Sequence, residues 1–223
     1  FCAHARMLLF TATPFREDGR ALNGKVIYNY PLQLAQENDF FKPIQFLQVF
    51  EPDSSLADIR IAVRAVERLR ADLANGLDHM LLARANTIGH ARTLFDDIYN
   101  VEFADLNPVL VHSQTRSREQ VLRNIRGGQH KIVICVDMFG EGFDLPQLKV
   151  AALHSVHKSL GITLQFIGRF ARAGANVGDA SFVANTAEDG VPEALESLYQ
   201  EDADWNNLLS DLSYDAIDPQ AKL

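Results

Sequence analysis

Short apolar runs alternate with helical patterns through most of the chain. Strand-like runs occupy Ile44–Phe50, His79–Ala85, Val109–His112, Lys131–Val136, Lys149–His154 and Ala180–Ala184. Between them, apolar residues recur three and four positions apart in Ser54–Asn75, Ile88–Tyr99 and Arg116–Ile125, which predicts three helices. Strands that alternate with helices predict an α/β fold, a parallel sheet covered on both faces. In such sheets ligands bind at the carboxyl ends of the strands.

The two ends of the chain have weaker patterns. Met7–Phe10 is a compact apolar run that predicts a buried strand, and it ends in the sequence TATP. A second strand is predicted over Val26–Tyr30, followed by a short polar helix near Leu32–Asn38. Helical patterns at Glu193–Tyr199 and Asn206–Leu212 close the chain.

The formal charge of −8 is concentrated near the C-terminus. From Thr186 onward there are ten Asp or Glu and one Lys, whereas residues 1–185 hold nineteen acidic and twenty basic residues. The nearly neutral charge of residues 1–185 is therefore compatible with nucleic-acid binding but does not by itself indicate it. No apolar run approaches the roughly 18 residues that predict a membrane span. Cys2 and Cys135 are expected to be free thiols in a reducing cytoplasm, and the seven histidines form no metal-ligand pattern.

One stretch has a helical pattern with a distinctive polar face. In Gly161–Gly174, read as GITLQFIGRFARAG, Gln165, Arg169 and Arg172 fall within one narrow arc, opposite an apolar face. Taken alone, this pattern is also typical of an ordinary amphipathic helix with a solvated basic face. Upstream lies Lys131–Pro146, KIVICVDMFGEGFDLP, in which an apolar run leads into a glycine-rich turn flanked by carboxylates.

These stretches resemble two conserved motifs of superfamily 2 helicases and translocases. Val136–Pro146 is similar to motif V, and Gln165–Arg172, QFIGRFAR, is similar to motif VI, which reads Q-x-x-G-R-x-x-R. TATP near the N-terminus resembles motif III and stands in the correct order. The wording GEGFDLP is more similar to restriction-enzyme motor subunits and related DNA translocases than to the RNA-type DEAD-box branch. The resemblance therefore favours DNA over RNA.

The resemblance implies a RecA-like C-terminal motor lobe with a parallel sheet, preceded by a remnant of the first lobe. On this basis residues 1–43 are the end of the first lobe and a linker, residues 44–187 are the second lobe, and residues 188–223 are an acidic helical segment. In the family, Thr11 and Thr13 would couple nucleotide state to nucleic-acid binding. The alternative role of these two threonines is to satisfy backbone groups at the end of a strand.

The resemblance also implies residue roles in ATP hydrolysis. Arg169 and Arg172 would be arginine fingers that stabilise charge on the transferred phosphoryl group, and Gln165 would orient a finger or contact phosphate. Gly142 and Asp144 would lie against the nucleotide ribose or a bridging water. A carboxylate that only stabilises the turn is the alternative for Asp144.

The nucleic-acid contacts of the family correspond to strand ends of this chain. The matching residues are Arg84, Asn86 and Thr87 after one strand and His112, Ser113 and Thr115 after another. Contacts of this kind to phosphates carry no base preference. The chain departs from the family at Val136, where a threonine often contacts phosphate.

Several parts of a complete motor are missing from the sequence. Gly19–Lys25, GRALNGK, has the spacing of a phosphate-binding loop, but Val26 stands where Ser or Thr must hold magnesium. No D-E-x-H or D-E-x-D pair is present. The first lobe of the same protein would therefore bind ATP and Mg²⁺, and this chain should be inactive alone. The alternative is a nucleotide-independent interaction module derived from a helicase lobe.

Overall fold

A computed structural model describes residues 27–28, 38, 44–136, 145–155 and 178–187 of the chain. Six parallel strands form one sheet: β1 (Ile44–Val49), β2 (Met80–Ala85), β3 (Val109–Val111), β4 (Ile132–Val136), β5 (Leu148–Leu153) and β6 (Ala180–Asn185). Their order across the sheet is β1-β6-β5-β2-β4-β3. Every pairing is parallel, which confirms the predicted α/β class with a parallel sheet.

In the part of the chain that the structure describes, four α-helical elements lie between the strands. They are α1 (Ser54–Ala74), α2 (Ile88–Thr93), α3 (Asn100–Glu102) and α4 (Arg118–Arg126). A π-helical segment, Leu94–Tyr99, joins α2 to α3, and a 3₁₀ turn, Ala104–Leu106, follows. The helix predicted over Ile88–Tyr99 therefore begins at the predicted residue, changes its hydrogen-bonding pattern halfway and continues through Glu102. Among the described residues, no helix has both the length and the apolar character that a bilayer crossing requires.

The long helix α1 begins and ends where its sequence predicts. The Asp53 side chain accepts a hydrogen bond of 2.9 Å from the Ser55 amide, which satisfies one of the free donors at the helix start. Gly76, with φ +79°, ends the helix in a conformation that glycine adopts without strain. The buried stripe of α1 packs across β2, β5 and β6 and consists of Ile61, Ala62, Ala65, Val66, Leu69 and Asp72.

The crossovers place helices on both faces of the sheet. Helix α1 connects β1 to β2, and α2 lies in the connection from β2 to β3; both connections run toward β3 in the strand order. Helix α4 connects β3 to β4 and runs in the opposite direction. Because parallel crossovers are almost always right-handed, α4 lies on the face opposite to α1 and α2. The strands between them are buried on both faces, which explains why they read as continuous apolar runs.

One predicted strand is wrong where the structure describes it. Ile27 and Tyr28, within the strand predicted over Val26–Tyr30, belong to no strand and are 71% and 75% exposed. β-branched and aromatic residues favour strands only where a sheet packs against them, and these two are largely exposed. The predicted elements at Met7–Phe10, Leu32–Asn38, Glu193–Tyr199 and Asn206–Leu212 lie largely or wholly outside the described residues.

Candidate functional site

Two exposed turns flank the end of β4 at the carboxyl edge of the sheet. Asn86 and Thr87 follow β2, and residues 112–115 follow β3, while β4 lies between these strands and ends at Val136. Neighbouring strands are about 4.8 Å apart, so the two turns lie about 10 Å from each other. The structure therefore brings two groups of predicted nucleic-acid contacts, separated in the sequence, to one edge.

The first turn is held by the start of helix α2. Thr87 has extended backbone angles, and its Oγ1 accepts a hydrogen bond of 3.1 Å from the His90 amide. Its carbonyl accepts another of 3.0 Å from the Ala91 amide. Asn86 and Thr87 are both exposed. The Asn86 amide group thus faces solvent on a turn whose backbone is fixed by the cap.

The second turn closes on itself through short-range hydrogen bonds. The His112 amide donates to Thr115 Oγ1 at 2.8 Å, and the Thr115 amide donates to the His112 carbonyl at 3.0 Å. His112 Nδ1 accepts from the Gln114 amide at 3.2 Å, which fixes the imidazole ring. Ser113 is exposed at the tip of the turn. Among the three predicted contacts of this turn, Ser113 is therefore the most accessible to a ligand, because His112 and Thr115 are half-buried.

Arg84 differs from the other predicted contacts because its side chain is buried. It lies within β2, is only 2% exposed, and donates from Nη1 to the Ser155 carbonyl at 3.2 Å. Its Nε has no hydrogen-bond partner in the described part of the chain. Arg84 thus joins β2 to the residues that follow β5. Its predicted contact with phosphate stays a prediction.

The remaining predicted site residues lie outside the described ranges. They are Thr11, Thr13, Gly142, Asp144, Gln165, Arg169 and Arg172. Val136, where the family motif often has threonine, is the last residue of β4 and is half-buried.

A network of hydrogen-bonded side chains, which the sequence patterns did not indicate, lies at the same edge. Asp58 on α1 accepts from His154 Nδ1 through Oδ1 and from His90 Nε2 through Oδ2, each at 2.8 Å. His154 Nε2 lies 2.8 Å from the Tyr99 hydroxyl, at the end of the π-helical segment. Tyr99 and the His154 side chain are fully buried, whereas the Asp58 side chain is 29% exposed. We call these four residues the carboxyl-edge network.

The electrostatics of the carboxyl-edge network fix its proton positions. Burial opposes ionisation of Asp58, but hydrogen bonds from His154 and His90 outweigh it and hold the pKa of Asp58 well below its usual range. Burial lowers the pKa of His154 and is only partly offset by the Asp58 carboxylate. Burial, with the Asp58 charge second, raises the pKa of Tyr99. At neutral pH the Tyr99 hydroxyl therefore donates to a neutral His154, which donates from Nδ1 to an ionised Asp58.

The carboxyl-edge network could not be predicted from local sequence spacing, since Asp58 and His154 are 96 residues apart and Asp58 and His90 are 32 residues apart. The network resembles a metal site only in composition, because each Asp58 oxygen already accepts from an imidazole nitrogen. Within the described ranges, no group of three or more His, Cys, Asp or Glu is placed to hold a metal ion.

The parallel six-stranded sheet with its helices matches the fold of a RecA-like helicase C-terminal lobe. The family model of the helicase conserved C-terminal domain matches residues 79–174. This match starts just before β2 and includes both exposed turns. It supports a superfamily 2 helicase C-terminal lobe.

Relatives among known proteins agree with this class. The chain is 28% identical over 133 residues to the ATP-dependent RNA helicase DRS1 of Kluyveromyces lactis, covering 59% of this chain and 17% of that protein. It is 28% identical over 207 residues to UvrABC system protein B of Mycobacterium leprae, covering 85% of this chain and 27% of that protein. The chain thus spans well under half the length of these relatives.

Solved structures agree with the fold. The second domain of the DEAD-box helicase Mss116p, bound to an RNA duplex, has a TM-score of 0.54 at 18% identity and covers 71% of this chain and 59% of that one. The yeast DEAD-box splicing factor Prp28 has a TM-score of 0.56 at 15% identity, covering 80% of this chain and 36% of that one.

Proposed function

We propose that this chain is the second motor lobe of an ATP-dependent helicase or translocase and that its carboxyl edge grips the nucleic-acid backbone. The main support for the proposal is that two exposed turns, Asn86–Thr87 and residues 112–115, lie on either side of the end of β4. Both turns are within the region that matches the helicase C-terminal domain. Both turns present short polar side chains, which suit phosphate oxygens.

ATP hydrolysis would take place between this lobe and the first motor lobe. Arg169 and Arg172 would supply positive charge to the transferred phosphoryl group, with Gln165 orienting one of them. Gly142 and Asp144 would contact the nucleotide from this side, and Thr11 and Thr13 would couple its state to the nucleic acid. The phosphate-binding loop and the magnesium carboxylate would come from the first lobe. The 223-residue chain by itself should therefore not turn over ATP.

RNA is the expected nucleic acid. The names of several relatives and solved structures include RNA, as in DRS1, in the SUB2 helicase of Phaeosphaeria nodorum and in Mss116p. These names weigh against a preference for DNA and against the restriction-enzyme branch, which rest on the sequence GEGFDLP alone. The matched contacts address the backbone, so discrimination between RNA and DNA must come from other groups, such as those that reach the 2′-hydroxyl.

The alternative, a nucleotide-independent interaction module, is not favoured. Such a module gains nothing from Q-x-x-G-R-x-x-R at Gln165–Arg172. The two proposals differ in one measurable property, since a module would bind its partner without regard to ATP.

The test measures ATPase activity and binding in the full-length protein. We expect phosphate release to rise when a single-stranded RNA of about a dozen nucleotides is added, with a smaller rise for DNA of the same sequence. Binding should weaken as salt increases, because phosphate contacts release counterions. If ATPase activity is unaffected by either nucleic acid and neither binds, the proposed function is wrong.

A further inference from the structure

Two Asp–His pairs, each with a buried histidine, lie along one helix at opposite edges of the sheet. At the carboxyl edge, Asp58 bonds His154 at 2.8 Å. At the amino edge, Asp72 bonds His79 Nδ1 at 2.9 Å, and His79 is 1% exposed. Both aspartates lie on α1, and at 1.5 Å per residue their positions are about 21 Å apart. Similar chemistry thus occurs once beside the candidate site and once far from it.

The carboxyl-edge network is tied to the first exposed turn from two sides. The His90 amide donates to Thr87 Oγ1, while its ring donates from Nε2 to Asp58. On the other side, the His154 amide donates to the Arg84 carbonyl at 3.1 Å. Arg84 in turn donates to the Ser155 carbonyl. The Asn86–Thr87 turn therefore lies between Arg84 and His90, and residues of the carboxyl-edge network are hydrogen-bonded to both.

The buried members of the network cannot touch a nucleic acid themselves. Tyr99 and the His154 side chain are fully enclosed, and an ionised Asp58 would repel phosphate. Any effect of these residues on binding must pass through the groups that they hold. Tyr99 reaches His154 from a π-helical turn, a local departure from α-helix that is frequent at functional sites.

We propose that Asp58, His154, Tyr99 and His90 are positioning residues that hold the Asn86–Thr87 turn in the geometry that binds the nucleic-acid backbone. The inference rests on the proposed function and deepens it, because it names the groups that set the geometry of that site. The Asp72–His79 pair, in contrast, supports the fold and has no part in binding.

The experiment compares three variants of the full-length protein: Asp58→Asn, Tyr99→Phe and Asp72→Asn. For each, RNA-stimulated ATPase activity is titrated with single-stranded RNA, and stability is followed by urea unfolding. We expect Asp58→Asn and Tyr99→Phe to raise the half-saturating RNA concentration about tenfold, the loss of roughly one or two hydrogen bonds. Activity at saturating RNA should change less than about twofold, since the variants leave the ATP site alone. Asp72→Asn should lower stability without moving the half-saturating concentration.

The outcomes separate a positioning role from a structural one. If Asp72→Asn shifts the RNA titration as much as Asp58→Asn, the network acts only through stability and the inference is wrong. It is also wrong if neither carboxyl-edge variant shifts the titration. Should Asp58→Asn fail to fold, Tyr99→Phe, which removes one hydroxyl, decides the result. A wild-type protein that does not respond to RNA or DNA would instead overturn the proposed function.

Discussion

Tyr99 and His154 form a hydrogen bond of 2.8 Å between two fully buried side chains, and the tyrosine hydroxyl is the donor at neutral pH. Removing the hydroxyl leaves His154 Nε2 buried without that donor. We expect Tyr99→Phe to lower the free energy of unfolding by about 1–3 kcal/mol, measured by urea unfolding monitored by circular dichroism.

A matched hydroxyl deletion at Ser181 should not lower stability. Ser181, in β6, is 1% exposed, and its Oγ has no hydrogen-bond partner among the residues that the structure describes. Since burying an unpaired hydroxyl is costly, Ser181→Ala should leave stability unchanged or raise it by up to about 1–3 kcal/mol. Equal losses in the two variants would mean that the Tyr99–His154 hydrogen bond contributes no stability beyond that of any buried hydroxyl.

His154 should make stability depend on pH in the mildly acidic range. Its pKa in the folded protein lies below the ordinary value of 6.5, so the unfolded chain takes up a proton first as pH falls. The contribution of His154 is thus complete above pH 6.5 and is lost as pH falls toward its folded pKa, by at most about 1.4 kcal/mol per pH unit. The ionisable groups that face it are Asp58, Tyr99 and His90.

Asp58 acts in the same direction at lower pH. Its folded pKa lies below the ordinary 3.8, so its contribution is present above that value and is lost as pH falls further.

The contribution of His154 is measured by urea unfolding of the wild type and His154→Gln between pH 7.5 and about 4.5, because the contributions of the other groups remain in the variant. The variant should show a shallower decline with falling pH. Parallel curves would show that His154 is not held neutral by the fold.

The sheet could be predicted from the sequence because its chemistry is local. Strands that are buried on both faces, such as β2 and β5, must be apolar at nearly every position, and all six in the core were located to within one residue at each end. The caps of α1 are equally local, since Asp53 and Gly76 act on residues a few positions away. The prediction failed at Ile27 and Tyr28, where β-prone residues are exposed and belong to no strand.

The carboxyl-edge network could not be predicted because none of its bonds connects sequence neighbours. Asp58 reads as a polar residue on the exposed side of a helix, and Tyr99 reads as one more apolar position in a helical pattern. Their hydrogen bonds to His154 depend on the strand order, which places the end of β5 beside β2, and on the change to π-helix at Leu94–Tyr99. Neither feature leaves a periodic pattern in the sequence.

The exposed turns predict which polar side chains contact phosphate. Asn86→Ala and Ser113→Ala should each weaken RNA binding about two- to tenfold, the value of one hydrogen bond, with similar losses for RNAs of different sequence. Gln129→Ala is the matched control, since Gln129 is also exposed but lies before β4, at the amino edge of the sheet. Fluorescence anisotropy with labelled RNA measures all three. A loss for Gln129→Ala equal to that for Asn86→Ala would contradict the placement of the interface at the carboxyl edge.

Arg169 and Arg172 carry the most specific prediction about catalysis. Each guanidinium would stabilise charge that develops only in the transition state, so Arg169→Ala and Arg172→Ala in the full-length protein should each lower kcat by about 10² to 10⁴. Both lie on the polar face of the predicted helix over Gly161–Gly174, so unfolding midpoints should change little. Arg70→Ala is the control: this exposed arginine pairs with Asp105 at 3.0 Å, and its loss should cost under about 1 kcal/mol of stability and leave kcat unchanged. Steady-state phosphate release at saturating ATP and RNA decides the matter. Wild-type turnover in both finger variants would show that the charge on the transferred phosphoryl group is stabilised by other residues.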